Sequence, residues 1–153
     1  MPLTPRTLEE VLASLLVDIN GAAHASVARS GSDGLTIVTS TDWRIDEGLR
    51  HDDGPPAAAL HFGRISRIPS TRNCAEFPAY GANCNALGIR SVGAFPIRDF
   101  DRVMVGVLIV TSHDHHGFGT DDLRTARAAA AEVAARLIDL GESVISSGSA
   151  GDR

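Results

Sequence analysis

The sequence predicts a layered α+β domain in which two terminal helices bracket five or six strands, most of them antiparallel neighbours. Three features carry that expectation. Residues 87–112, LGIRSVGAFPIRDFDRVMVGVLIVTS, hold two runs rich in Val, Ile and Phe on either side of the polar link 98–102. A link of that length is normal for a hairpin and neither run is long enough to cross a bilayer, so the runs read as adjacent antiparallel strands. Asp33-Gly34, between two short runs of small and β-branched residues, signals a second hairpin. Near each end, apolar residues recur three and four apart, the period of an amphipathic helix.

The first helix starts either at Thr4 with Pro5 in its first turn, or at Thr7, which forms a capping box with Glu10. Leu8, Val11, Leu12, Leu15 and Ile19 share one face, and Asn20-Gly21 ends the helix. Residues 23–29 form a strand that returns through a loop of about five residues as strand 35–40. Residues 43–53 are polar, end in HDDG and read as loop. Pro55 and Pro56 suit a helix start, so 57–62 makes a short helix closed by Gly63. The strand at 64–68 exits into Pro69, which makes it unsuitable as a central strand. Residues 73–87 carry little periodicity and read as one or two irregular helical turns. After the central hairpin and the loop SHDHHGFGTDD, Thr120 caps a helix with Asp121 and Asp122 in its first turn. Leu123, Ala126, Ala130, Val133, Leu137 and Leu140 form its apolar stripe, and Gly141 ends it. The expectation is one domain over residues 4–141 and a flexible polar tail, 142–153.

Composition narrows the class. A chain of 153 residues with 43% hydrophobic content is one domain's worth and needs no disulfide staples. Aromatics are only 5%, so Ala, Val, Leu and Ile build the core. A net charge of -5 with no Lys/Arg stripe argues against nucleic acid. No apolar stretch reaches about 18 residues, which removes a transmembrane helix. The N-terminus carries Glu9 and Glu10 ahead of its apolar middle and reads as helix, not signal peptide. Two cysteines, Cys74 and Cys84, suit a reduced cytoplasmic protein. The alanine-rich stripes lead to the expectation of a homodimer through the terminal helices.

In order, Ala25-Ser26-Val27, DGLTIVTSTD, GPPAAALHFGRISRIPS, LGIRSVGAFPI, VGVLIVTS and the helix entry GFGTDDL together resemble a GAF domain of the kind that actinobacterial regulators carry. The resemblance spans about residues 6–140. It implies a central antiparallel sheet with the terminal helices on one face and, on the other, a pocket roofed by short helices and loops. It also implies a sensory or regulatory role, with a small molecule or a signalling protein as partner. With no output segment after Arg153, the expectation is a stand-alone sensor or partner-binding subunit.

The candidate ligand-binding residues are Trp43, His61, Phe77, Tyr80, Asn83 and Cys84 on the roof and Gly93, Phe95 and Gly106 on the central hairpin. No cofactor is identified. The alternative is a thiol-dependent reductase of free methionine sulfoxide, with Cys84 as its thiol. Against it, residues 52–63 lack the upstream cysteine of such enzymes, and Asn85 stands where they have an acidic residue. A Cys74–Cys84 redox pair and a vestigial module that retains only protein interaction are further alternatives. His113, Asp114, His115 and His116 are too close in sequence to enclose zinc and read as solvated loop residues. His61 is the candidate were a haem bound. The family's cyclic-nucleotide pattern needs a lysine, and all 14 positive residues here are arginine.

Overall fold

The computed structural model describes residues 6–72 and 74–151, with side chains described through residue 138. Helix α1 (Leu8–Asp18) is opened by Thr7, whose Oγ1 accepts from the Glu10 amide at 3.1 Å while Glu10 Oε1 accepts from the Thr7 amide at 3.2 Å. This reciprocal pair satisfies two amide donors that a helix start leaves without partners. The competing Thr4–Pro5 start lies outside the described residues. Strands β1 (Ala22–Gly31) and β2 (Gly34–Ser40) follow, then α2 (Trp43–Leu49), a 3₁₀ turn (His51–Asp53) and α3 (Pro55–Phe62). The chain continues through β3 (Ser66–Ile68), α4 (Pro78–Ala86), β4 (Ser91–Arg98), β5 (Met104–Ser112) and α5 (Thr120–Gly151).

Five strands form one antiparallel sheet in the order β2-β1-β5-β4-β3. The central hairpin pairs from Ser91↔Ser112 to Arg98↔Met104, and β1 lies on the other side of β5. The β3 strand, three residues long, occupies an edge, where the proline that follows it breaks no ladder.

Because side chains alternate along a strand, each strand serves two layers. Ala25 and Val27 of β1, Phe95 and Ile97 of β4 and Leu108 and Val110 of β5 face α1 and α5. The alanines of α5 at 126, 129, 130 and 134 are buried there and let the helix approach closely. On the opposite face Ala28, Val92, Ala94, Val107 and Ile109 meet Leu49 of α2, Ala59 of α3 and Tyr80 and Cys84 of α4. Full burial of a Leu or Val is worth about 1.5–3 kcal/mol, so both layers contribute to holding the sheet.

Several expectations are corrected. The β1–β2 connection is a tight turn, since Gly31 pairs with Gly34 across Ser32 and Asp33; Gly34, at φ 101°, takes the backbone conformation that the turn demands. Residues 43–53 are helical because Asp42 caps α2, its carboxylate accepting from the Arg44 amide at 3.1 Å. Their polarity disguised this, as two of the polar residues, Asp46 and His51, point inward. Residues 78–86 form one regular helix, with Pro78 in the first turn. Helix α5 begins at Thr120 itself, with the Gly119 amide donating to Asp122, so the helix entry lies one residue before the expected one. It also continues past Gly141, the expected end of the helix, to Gly151. A glycine inside a helix costs only about 1 kcal/mol, and alone it does not stop one.

Candidate functional site

The space between the sheet and its roof is organised by one carboxylate. Asp46 sits on α2, which its cap directs over the strands from which His24, Ser26 and Ser40 project. Its Oδ1 accepts from Ser26 Oγ at 2.8 Å and lies 2.7 Å from His51 Nε2. Its Oδ2 accepts from Ser40 Oγ at 2.5 Å and lies 3.0 Å from His24 Nε2. The network extends at both ends: His24 Nδ1 is 3.2 Å from Thr111 Oγ1, and His51 Nδ1 is 2.8 Å from the Tyr80 hydroxyl. The arrangement that satisfies every group has both rings donating Nε2–H to Asp46, with Tyr80 donating its hydroxyl to His51 Nδ1.

The cross-strand register explains the meeting. His24 lies opposite Thr111 across β1–β5, and Ser26 lies opposite Ser40 across β1–β2. All six partners except Ser40 are buried, His24, Ser26 and Thr111 completely. Burial pushes the Asp46 carboxyl pKa upward, but the hydrogen bonds from His24 and His51, the charge interaction with His24 and the Ser40 bond outweigh it. The carboxyl is held well below the usual carboxylate range. Tyr80 is pushed well above the ordinary phenol value, first by burial and then by Cys84 and Asp46 nearby. Its ring lies against Gly54, where an added Cβ would fall 2.2 Å from a ring carbon, so only glycine leaves room for it.

The Cys84 thiol is buried and held protonated. Cys84 is fully buried, and burial, with a smaller effect from Cys74, pushes its pKa up to about 12. Cys74 Sγ donates to the Phe77 carbonyl at 3.2 Å. Both are free thiols. A protonated thiol is a poor nucleophile. Among the described residues no group of three or more His, Cys, Asp or Glu side chains is placed to hold a metal ion.

The family model for the GAF domain matches residues 5–137. The chain belongs to the GAF domain family. No curated protein matches it. Among solved structures, the GAF domain region of a Geobacter sulfurreducens PCA protein is similar with a TM-score of 0.73 at 18% identity, covering 87% of this chain and 91% of that one. The GAF domain of a two-component sensor histidine kinase from Bacillus halodurans gives 0.66 at 12% identity, covering 90% and 97%. A type II free methionine-R-sulfoxide reductase from Thermoplasma acidophilum gives 0.64 at 14%, covering 86% and 92%. At these identities the likeness is one of fold.

Within this GAF fold the expected site residues separate. Tyr80, Asn83 and Cys84 lie on α4, where Asn83 Nδ2 donates to the Leu49 carbonyl at 3.2 Å and ties α4 to α2. Phe77 precedes α4 and packs against the roof core. Outside Tyr80 a polar cleft of about 620 Å³, edged by Glu47, Arg50, Asp52 and Asn83, opens to solvent. Trp43 stands on the first turn of α2 and is 50% exposed, outside the buried network. His61 is exposed on α3, edge-on to Phe62 at 4.7 Å between centroids, and does not enter the roof interior. Gly93, Phe95 and Gly106 do not line the roofed space. Phe95 belongs to the helix-facing core, and a Cβ at Gly93 would meet the Phe95 ring at 2.9 Å. A Cβ at Gly106 would fall 2.3 Å from the Ala28 carbonyl oxygen, so that glycine serves the close approach of β1 and β5.

The sequence reading missed His24, Ser26, Ser40, Asp46, His51 and Thr111. A signal was present: His24 and Ser26 alternate with Ala25 and Val27 in one strand, and Thr111 interrupts an apolar run.

This geometry makes a pH-dependent prediction. The Asp46 pKa is lowered on folding, so its contribution is complete above the unfolded value, near 3.8, and is lost as pH falls toward the lower folded value. Asp46→Asn turns one acceptor oxygen into an NH2 donor, so one of the two ring N–H groups loses its acceptor, and the change is expected to destabilise the domain by about 1–3 kcal/mol at pH 7. Urea unfolding of both proteins should show that gap narrowing below pH 3.8. A pH-independent gap, or none, contradicts the assignment.

Proposed function

We propose that this chain is a non-enzymatic sensory or regulatory GAF module in signalling, acting through a protein partner or a second copy of itself. The observation that carries this reading is that the space beneath the roof is occupied by the chain's own hydrogen-bonded side chains, with Cys84 sealed among them. A cavity built for reaction holds exposed groups with perturbed chemistry; here the perturbed groups satisfy one another. The sensor histidine kinase GAF domain among the similar folds is compatible with a signalling role.

The reductase similarity supplies the competing reading, but thiol attack on a sulfoxide needs an accessible thiolate. Cys84 has neither exposure nor a lowered pKa. In the signalling reading, α1 and α5 form the homodimer surface. Val17 on α1 is 83% exposed, and the 32 residues of α5 extend about 48 Å. No described helix is long and apolar enough to cross a membrane, and free thiols fit the reducing cytoplasm, where the proposal locates the module.

Two measurements test this reading. Free methionine sulfoxide with a thiol reductant should show no turnover above the protein-free blank, and iodoacetamide should label Cys84 only after unfolding. Turnover that disappears in Cys84→Ser would overturn the non-enzymatic proposal. In sedimentation equilibrium the chain should run as a dimer that Val17→Glu shifts toward monomer; a monomer across the micromolar range would leave the heterologous partner alone.

A further inference from the structure

A notch lies on the helix-bearing side of the sheet, away from the roof. Helix α5 packs chiefly on β4 and β5, and α1 on β1 and β2, so cover thins toward the short edge strand β3. There the flank of α5 presents Ala130, Ala131 and Ala134. These stop at Cβ and leave a cavity of about 460 Å³ against Ile65, Phe95 and Pro96. That volume falls in the range of small-molecule sites.

Its charge is one-sided. Arg64, Arg98 and Arg127 line the notch together with the apolar groups, and among the described residues no carboxylate does. Among the described residues none of the three makes an ion pair. Arg98 donates to the Gly63 carbonyl, and Arg64 lies over the Phe62 ring at 5.4 Å. In a chain of net charge -5, three cations with no carboxylate among the notch's described lining residues make a local positive field above an apolar floor.

We propose that this notch binds an amphipathic organic anion: a carboxylate head with an unbranched apolar chain. The guanidinium forks match a carboxylate in shape and charge. The alanines and Phe95 take the chain. A bare anion would leave that floor wet, and a neutral chain would leave the arginines unmatched. The site is independent of the roof network and of whether the module signals through a dimer.

The test is titration of the ¹⁵N-labelled full chain with decanoate, followed by amide shifts, with decanol and inorganic phosphate as comparison probes. Saturable shifts are expected at the amides of residues 64–65, 95, 97–98 and 127–134, weakened by added salt. Decanol and phosphate should each bind about tenfold or more weakly, the effect of losing one charge-assisted contact or the apolar one. The double variant Arg64→Gln, Arg127→Gln should weaken decanoate by a similar factor while shifts elsewhere stay in place. Ala131→Leu, which fills the notch and keeps every charge, should also weaken it. Absence of saturable shifts, shifts centred elsewhere, decanol binding equal to decanoate, or indifference to both sets of variants would overturn the proposal.

Discussion

A carboxylate removed from water must find donors for both oxygens or cease to be charged, and Asp46 finds four: Ser26 and His51 at one oxygen, Ser40 and His24 at the other. These come from β1, β2 and the 3₁₀ turn, while Asp46 itself rides on α2. No one of these elements can shift without leaving a buried polar group unmatched. The network thereby fixes where α2 lies, and through His51 and Tyr80 it also fixes α4. Tyr80 in turn requires the glycine at position 54, so the entry to α3 belongs to the same construction.

The two faces of the sheet are held by different physics. Against α1 and α5 the contacts are Leu, Val, Ile, Phe and Ala, which are non-directional and tolerate small adjustments. Under the roof an apolar ring from Ala28 to Ile109 surrounds hydrogen bonds that permit little adjustment. The GAF resemblance leads one to expect a cavity on the roofed side; here that space is largely filled by the chain's own side chains. Open space among the described residues includes the polar cleft outside Tyr80 and the arginine-lined notch beside α5.

The elements legible in the sequence were those whose periodicity served one clear purpose. Helix α1, the central hairpin and the Pro-Pro start and Gly63 end of α3 rest on local rules that tertiary packing did not override. The polar core was hidden by the same logic. Ser26 on alternate positions of a strand reads as a solvent face, yet both faces of this sheet are covered. At α2 hydrophobicity pointed the wrong way, since Trp43 stands half in solvent while Asp46 is buried. Gly93, Phe95 and Gly106 were assigned to the roof side, because a single strand does not say which of its faces is which. That choice depends on the register with β1 and on the helices that pack there.

The central claim is that the roofed space is filled by a histidine–carboxylate network rather than held open. The most direct measurement is ¹H–¹⁵N NMR of the histidine side chains in the folded protein. Two slowly exchanging ring Nε2–H signals, from His24 and His51, are expected, both lost in Asp46→Ala, which removes both acceptor oxygens, while α1 and α5 amides keep their shifts. Ring protons that exchange with water as fast as those of the exposed His61 would contradict the account.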